Sequence, residues 1–337
     1  MFDQSDPMRS AASPFGAFNF LDHQTNSILG TEYLMSDSGA LSKASGASTH
    51  GIGSTGAGGS SAAAPAPTLV GAAGGLQIDL IWDSSVATAP SGFLQAVTSA
   101  AQTITSLFST KEVVNVDVGY GEIAGSPLGA GALGESESYG YLANYPTVTN
   151  ALRADGYSFT AANEPTSSQF FLTSAETKAM GYVNQTSSSL DGYVGFSSSY
   201  PMSYATSGAP ASNQFDLYSI AEHEITEVMG RIGVEGANMN GAATYTPLDL
   251  FNYSKAGVLE RSAKGGYFSI NDGLTNLGAY NDAAANGGDI ADWASSVADN
   301  SFDAFTAPGT FGALTSNDVL EVAALGYKLS ALRSEVA

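Results

Sequence analysis

The spacing of apolar and polar positions predicts a strand, a helix and a second strand in succession after residue 75. Residues 76–82 alternate between apolar and polar side chains, as a half-buried strand does. Residues 91–109 carry apolar side chains at helical spacing, and residues 113–119 return to alternation. We therefore expect a β-α-β unit at the start of the folded body.

Further along the chain, the same patterns predict three shorter elements. Residues 174–180 favour a short helix, and residues 193–197 favour an edge strand that lines a substrate cleft, where a peptide pairs through its backbone. Thr315 and Asp318 have the spacing of a capping box, and the apolar positions of 319–325 follow helical spacing up to Gly326. A C-terminal helix is therefore expected there.

The segment 217–232 predicts a helix that carries two metal ligands. Its apolar side chains recur at helical spacing, and Gly230 offers a stop. Residues four apart share a face of a helix, so the imidazole of His223 and the carboxylate of Glu227 can converge on one ion. The apolar positions are Leu217, Ile220, Ala221, Ile225, Val228 and Ile232.

A metal held by His223 and Glu227 would leave Glu224 placed as a general base. Zinc takes nitrogen and carboxylate oxygen ligands, and a catalytic zinc site keeps one position for water. The alternative is an amphipathic helix whose solvated face carries Glu222, Glu224 and Glu227, because HExxE also arises by chance. The motif alone does not decide between them.

The wider sequence resembles metalloproteases. His223-Glu-x-x-Glu227-x-x-Gly230-x-x-Gly233 is similar to the metzincin pattern HExxHxxGxxH at His223, Glu224 and Gly230, and it departs at Glu227 and Gly233. The stretches HEITEVMGR, TPLDLFNYS, GGYFSI and VDVGYGEI resemble a family of predicted bacterial extracellular metalloproteases from about residue 76 to about residue 327.

This resemblance implies an α+β fold: a zincin, metzincin-like two-lobed catalytic domain with a mixed sheet, an active-site helix and an irregular C-terminal lobe. The upper lobe would span 76–232 and the lower lobe 233–337. Phe251 stands where metzincins place the methionine of the Met-turn. Tyr253 stands where several of them carry a metal-facing tyrosine, so it would be a fifth ligand or an oxyanion donor, or else a packed side chain.

The third metal ligand has to come from a carboxylate. Besides His223 the chain has only His23 and His50, both in its Gly/Ser/Ala-rich N-terminal region. The resemblance to zincins favours Asp249, in the turn after Pro247, as the third ligand. The alternatives are that Asp249 braces that turn, or that Glu235 ligates.

One histidine and two carboxylates favour Zn²⁺, with Mn²⁺, Fe²⁺ and Ca²⁺ as alternatives. The Asx/Gly-rich stretch 271–292, with Asn271, Asp289 and Asp292, is typical either of Ca²⁺-binding loops or of plain turns.

Composition narrows the class of partner. The chain has 337 residues, 11 basic and 32 acidic side chains and a net charge of -21, which argues against nucleic acid or an anionic membrane as partner. No window is apolar and long enough for membrane insertion. Cysteine is absent, which excludes disulfides and thiolate metal sites. A protein or peptide substrate is what the resemblance to metalloproteases implies.

Before the β-α-β unit, residues 36–75 are almost wholly Gly, Ser, Ala, Thr and Pro, which predicts a linker. Residues 1–35 would then be an arm or pro-segment, or a tail. Residues 76–337 would form the metalloprotease-like domain.

The sequence thus predicts a secreted zinc endopeptidase with Glu224 as base. The first twenty residues lack the pattern of a Sec-type signal, so export would use another route or follow removal of a signal. The rival prediction is a non-catalytic exported binding or surface protein that keeps a degenerate zincin fold, stabilised by calcium.

Overall fold

The computed structural model describes residues 31–36, 40–44, 63–159, 168–239, 241–297 and 299–331. His23, His50 and most of the predicted N-terminal arm lie outside these ranges. Within them the chain forms an α+β structure with a large mixed sheet.

The strands and helices are numbered in the order in which they occur along the chain. The strands are β1 (Glu32–Ser36), β2 (Leu41–Lys43), β3 (Thr68–Val70), β4 (Leu76–Trp82), β5 (Glu112–Tyr120), β6 (Glu122–Ile123), β7 (Ser126–Pro127), β8 (Gly134–Ala143), β9 (Ser168–Thr173), β10 (Gly192–Phe196), β11 (Met202–Ser203), β12 (Phe215–Asp216), β13 (Ala237–Met239), β14 (Ala242–Tyr245), β15 (Asn252–Lys255), β16 (Val258–Leu259), β17 (Tyr267–Phe268) and β18 (Gly278–Ala279). The helices are α1 (Phe93–Leu107), α2 (Tyr145–Ala154), α3 (Ser174–Ala179), α4 (Leu217–Val228), α5 (Ala283–Asn286) and α6 (Ser316–Ala323). Short 3₁₀ turns lie at Ser84–Thr88 and Leu248–Phe251.

The predicted β-α-β unit is confirmed as β4, α1 and β5. β4 has the predicted bounds, and its side chains alternate between buried and half-buried. β4, β5 and β10 run parallel and adjacent, and β8 closes this part of the sheet in the antiparallel sense. The apolar side of α1 packs on the sheet and on α4.

The prediction that residues 193–197 form an edge strand is wrong. β10 pairs with β5 on one side and with β8 on the other, so it lies inside the sheet. Its glycines also allow close packing: a Cβ on Gly192 would lie 2.9 Å from Val228 of α4, and one on Gly195 would lie 2.5 Å from the carbonyl of Glu122.

Among the residues that the structure describes, β8 has a stretch of edge without a paired strand, as do β3 and β13 at the ends of the large sheet. Residues 134–138 of β8 pair with β10, and residues 140–143 pair with β9. β1 pairs with residues 137–141 and overlaps both registers, so it occupies the opposite edge of β8. In the described part of the chain, residues 134–136 carry no strand on that opposite edge.

The C-terminal part combines short strands, loops and α6. β13 and β14 extend the large sheet beside β9, whereas β15, β16, β17 and β18 form a separate four-stranded sheet. The predicted capping box is confirmed, with Thr315 and Asp318 bonding reciprocally at the start of α6. The predicted short helix is α3. Buried apolar residues from Val70 to Tyr327 form one cluster, so the core is shared across the predicted lobe boundary at 232/233.

The structure places β1 and β2 across the predicted boundary between arm and linker, and β3 within the predicted linker. No helix in the described ranges has the length and apolarity needed to cross a membrane.

Candidate metal centre

The motif helix α4 is held between α1 and the strands β8 and β10. Asp216 caps its start by accepting a hydrogen bond from the Tyr218 amide at 3.2 Å. Just after the helix, Gly230 has a φ of 112°, and a Cβ there would lie 2.3 Å from the Glu176 side chain. The predicted helix and its stop at Gly230 are thus confirmed.

The acidic face of α4 is not solvated. Glu222, Glu224 and Glu227 are only 1%, 7% and 3% exposed. A helix whose glutamates merely face water is therefore excluded, because buried carboxylates need specific partners.

His223 and Glu227 converge with a third residue, Asp292. The Nε2 atom of His223 lies 3.2 Å from Oε1 of Glu227 and 3.3 Å from Oδ1 of Asp292. These are the His, Asp and Glu side chains that come close enough to share an ion in the part of the chain that the structure describes. Asp292 reaches the helix from the Asx/Gly-rich stretch that the sequence assigned to calcium loops or turns.

The imidazole of His223 is surrounded by hydrogen-bond acceptors. Its Nδ1 lies 2.9 Å from the carbonyl oxygen of Ser301, while Nε2 faces the two carboxylates. A neutral imidazole carries one N–H, so it cannot satisfy acceptors on both sides. The ring is therefore protonated on both nitrogens, uses Nε2 to bind a cation, or accepts at Nε2 from a protonated carboxyl group.

The spacing of these atoms fits a zinc ion. Zinc bonds of about 2.0 to 2.2 Å in a tetrahedral site separate neighbouring ligand atoms by roughly 3.4 Å. The two distances from Nε2 match that separation. A nitrogen among the donors also favours zinc over calcium, which collects six to eight oxygens.

Arg231 is a fully buried cation that binds both carboxylates. Its Nη1 donates to Oδ1 of Asp292 at 2.7 Å, and its Nη2 donates to Oε1 of Glu227 at 3.2 Å. Its Nε donates to Thr226 at 3.1 Å, and the guanidinium lies 4.2 Å from the ring centroid of Phe302. Arg231 thus fixes the helix and the Asp292 loop to each other.

These contacts set the protonation states at the centre. Burial alone would raise the pKa of Glu227, but His223, Arg231 and the hydroxyl of Ser136, which donates at 2.8 Å, hold that pKa well below its ordinary value. Burial lowers the pKa of His223, whereas Asp292 and Glu227 outweigh that effect and raise it.

The neighbouring Glu222 supports the imidazole through Ser301. The Ser301 hydroxyl donates to Glu222 at 2.7 Å, while the carbonyl of the same residue faces Nδ1 of His223. Burial raises the pKa of Glu222 to about 7. A fixed Nδ1 partner directs Nε2 at the two carboxylates.

Glu224 and His223 line an open cleft of about 960 Å³. α4 forms its floor, residues 130–135 form one wall, and the loops around 287–290 and 300–306 form the other. Gly134 lets β8 approach the helix, because a Cβ there would lie 2.4 Å from a carboxylate oxygen of Glu224. The predicted base Glu224 therefore packs on the face of β8 at Gly134 and lines the same cleft as His223.

Asp249, the predicted third ligand, is not part of this group. Its Oδ2 accepts hydrogen bonds from the amides of Thr246, Glu235 and Val234 at 2.8, 3.0 and 3.3 Å. It braces the turn after Pro247, the alternative that the sequence left open. Glu235 lies in the same region, where burial and the Asp249 charge raise its pKa to about 9.

Tyr253 lies in β15 and does not line the cleft. Its side chain is buried, and burial together with Asp272 raises its pKa above its ordinary value. The structure therefore places it as a packed side chain near Tyr267.

Two residues of the centre were missed from the sequence. Arg231 stands four residues after Glu227, a helical salt-bridge spacing that could have identified it. Asp292 had no local signal beyond its Asx/Gly-rich surroundings, because it joins the centre only through the tertiary fold.

Comparisons with known proteins returned nothing: no family model, no curated protein and no solved structure matches this chain.

Proposed function

We propose that this protein is a secreted zinc-dependent endopeptidase of metzincin-like, two-lobed design, with the metal held by His223, Glu227 and Asp292. One observation carries the proposal. The imidazole of His223 has acceptors on every side, and two of them are carboxylate oxygens at ligand-to-ligand distances for zinc. The group lies at the floor of an open cleft, where a substrate can reach it.

Each residue has a distinct task in this proposal. Bound zinc supplies Lewis acidity, which lowers the pKa of water and polarises a carbonyl group. Glu224, one residue from His223, takes the proton from the attacking water and returns it to the leaving amine. Arg231 keeps the carboxylates of Glu227 and Asp292 in place.

Support for a peptide substrate comes from β8. In the part of the chain that the structure describes, no strand pairs with Gly134 and Glu135 on the edge opposite β10, and both residues line the cleft with Glu224. An extended peptide can pair its backbone with such an edge. The cleft lining includes Glu135, Asp289 and Asp303, which favour peptides with basic side chains.

Tyr253 and Asp249 have no role in this mechanism. The first does not line the cleft, and the second is committed to backbone amides.

The second candidate function is a non-catalytic exported binding protein with a degenerate zincin fold. Arg231 favours it, because a guanidinium bonded to both carboxylates balances their charge without a metal. In that case His223 would be an imidazolium paired with Glu227 and Asp292.

Hydrolysis of fluorescently labelled casein, with zinc supplied, tests the proposal. The Glu224→Gln variant should keep its zinc, and its hydrolysis rate should fall by about 10²- to 10⁴-fold, the usual contribution of a general base. Glu260→Gln is the matched control, since Glu260 is a half-buried glutamate that does not line the cleft. Equal rates for Glu224→Gln and the wild type would contradict the proposal.

A further inference from the structure

The N-terminal hairpin of β1 and β2 lies on the edge of β8 that leads into the cleft. Along that edge β1 pairs from Tyr141 to Glu137 and runs towards the cleft, so Ser36 lies opposite Glu137. The next residues of β8, 134–136, line or adjoin the cleft. One strand edge thus serves the hairpin first and the cleft immediately afterwards.

The hairpin docks through its own small apolar cluster. Met35 is its buried anchor and packs with Phe171, Val234 and Met239, a cluster separate from the main core. We call the residues that pack on Met35 the socket. Outside the socket, Tyr141 of β8 donates a hydrogen bond to Glu32 of the hairpin at 3.2 Å. The core of the body therefore does not depend on the hairpin.

The docked hairpin also borders the metal centre. Met35 and Ser36 line a small cavity together with Glu227, Gly233 and Asp289. Val234 and Met239 of the socket line the large cleft as well. The chain that joins Lys43 to Thr68 is dominated by Gly, Ser, Ala and Pro, a composition that adds few apolar anchors.

We propose that the hairpin of β1 and β2 occupies the edge of β8 as a strand supplied by the chain itself. When the hairpin leaves, an extended polypeptide pairs with the same edge. The full-length chain is therefore partly closed against its substrate. The statement about substrate rests on the proposed function, whereas the exchange of strands does not depend on hydrolysis.

The test uses full-length protein carrying Glu224→Gln, so that no probe is hydrolysed. Met35→Asp removes the side-chain anchor, and Tyr33→Pro removes a backbone donor of β1 that faces Gly140 of β8. Lys43→Asp is the matched control, because Lys43 is an exposed residue of the same hairpin. The first readout is amide hydrogen exchange of residues 137–141, and the second is binding of a fluorescein-labelled peptide of residues 31–44, TEYLMSDSGALSKA.

Both disrupting variants should exchange at least about 10-fold faster at 137–141 and bind the labelled peptide at least about 10-fold more tightly than the wild type, since the edge is vacated. Lys43→Asp should match the wild type in both readouts. Unchanged exchange in both variants, or equal peptide binding by all four proteins, would overturn the proposal.

The activity arm separates this proposal from the enzymatic one. With Glu224 restored, Met35→Asp and Tyr33→Pro should hydrolyse labelled casein several-fold faster than Lys43→Asp. Strand exchange without any hydrolysis would leave the hairpin proposal standing and remove the peptidase. Hydrolysis without strand exchange would do the reverse.

Discussion

Two groups of buried acids in this protein have their charge compensated in different ways. Glu227 and Asp292 meet cationic or cation-binding side chains, His223 and Arg231, at the floor of a cleft. Asp249 meets three backbone amides in the interior of a turn. Both arrangements compensate the cost of burying a carboxylate, but only the first directs oxygen atoms at an imidazole nitrogen.

This difference shows why nearness to a motif is a poor guide to ligation. Asp249 follows the helix closely in sequence, yet its oxygen is occupied by amides that hold a turn. Asp292 lies much further along the chain and reaches Nε2 of His223 because Arg231 and the fold bring its loop to α4. A metal ligand is identified by the donors that surround it in space.

Removing Arg231 should produce the largest change in stability, because only the Glu227 and Asp292 group, and not Asp249, depends on this cation. Arg231→Met leaves Glu227 and Asp292 buried without their cation, so the metal-free protein should lose about 3 to 5 kcal/mol of unfolding free energy. Zinc should then restore more stability to this variant than it adds to the wild type. Urea unfolding with and without zinc measures both effects.

The matched control for Arg231 is Lys178→Met, which removes another buried cation from its partner Asp191, away from the centre. Lys178→Met should also destabilise the protein, but zinc should not rescue it. Rescue of both variants, or a loss below about 1 kcal/mol for Arg231→Met, would show that Arg231 does not balance a metal site.

A smaller effect is expected from Glu235, beside Asp249. Burial and the Asp249 charge raise the folded-state pKa of Glu235 to about 9, from an ordinary value of 4.5. Its protonated form is favoured in the fold, so its contribution to stability is full below about pH 4.5 and is lost as the pH rises through 9.

Glu235→Gln should remove that loss. Urea unfolding at pH 5 and pH 8 should show a smaller decrease for the variant than for the wild type. Parallel decreases in the two proteins would mean that Glu235 is ionised in the fold at both pH values.

The sequence predicted the local elements better than the site. β4, α1, β5, α3, α4 and α6 carry periodic apolar positions or caps, and those signals are local. The position of β10 inside the sheet was missed, because alternation does not say which strands lie at an edge. His223, Glu224 and Glu227 were found because one helix presents them together, whereas Asp292 depends on long-range packing.

The zinc affinity of Asp292→Asn beside that of Asp249→Asn tests the central claim most directly. Competition with a chelating dye gives the Kd of each variant and of the wild type. The account predicts zinc binding by the wild type and at least about 10- to 100-fold weaker binding by Asp292→Asn. Asp249→Asn should keep the wild-type Kd while losing about 1 kcal/mol of stability, because a neutral amide oxygen accepts from the three backbone amides more weakly than a carboxylate does. Weakened binding in Asp249→Asn with unchanged binding in Asp292→Asn, or no zinc binding by the wild type, would contradict it.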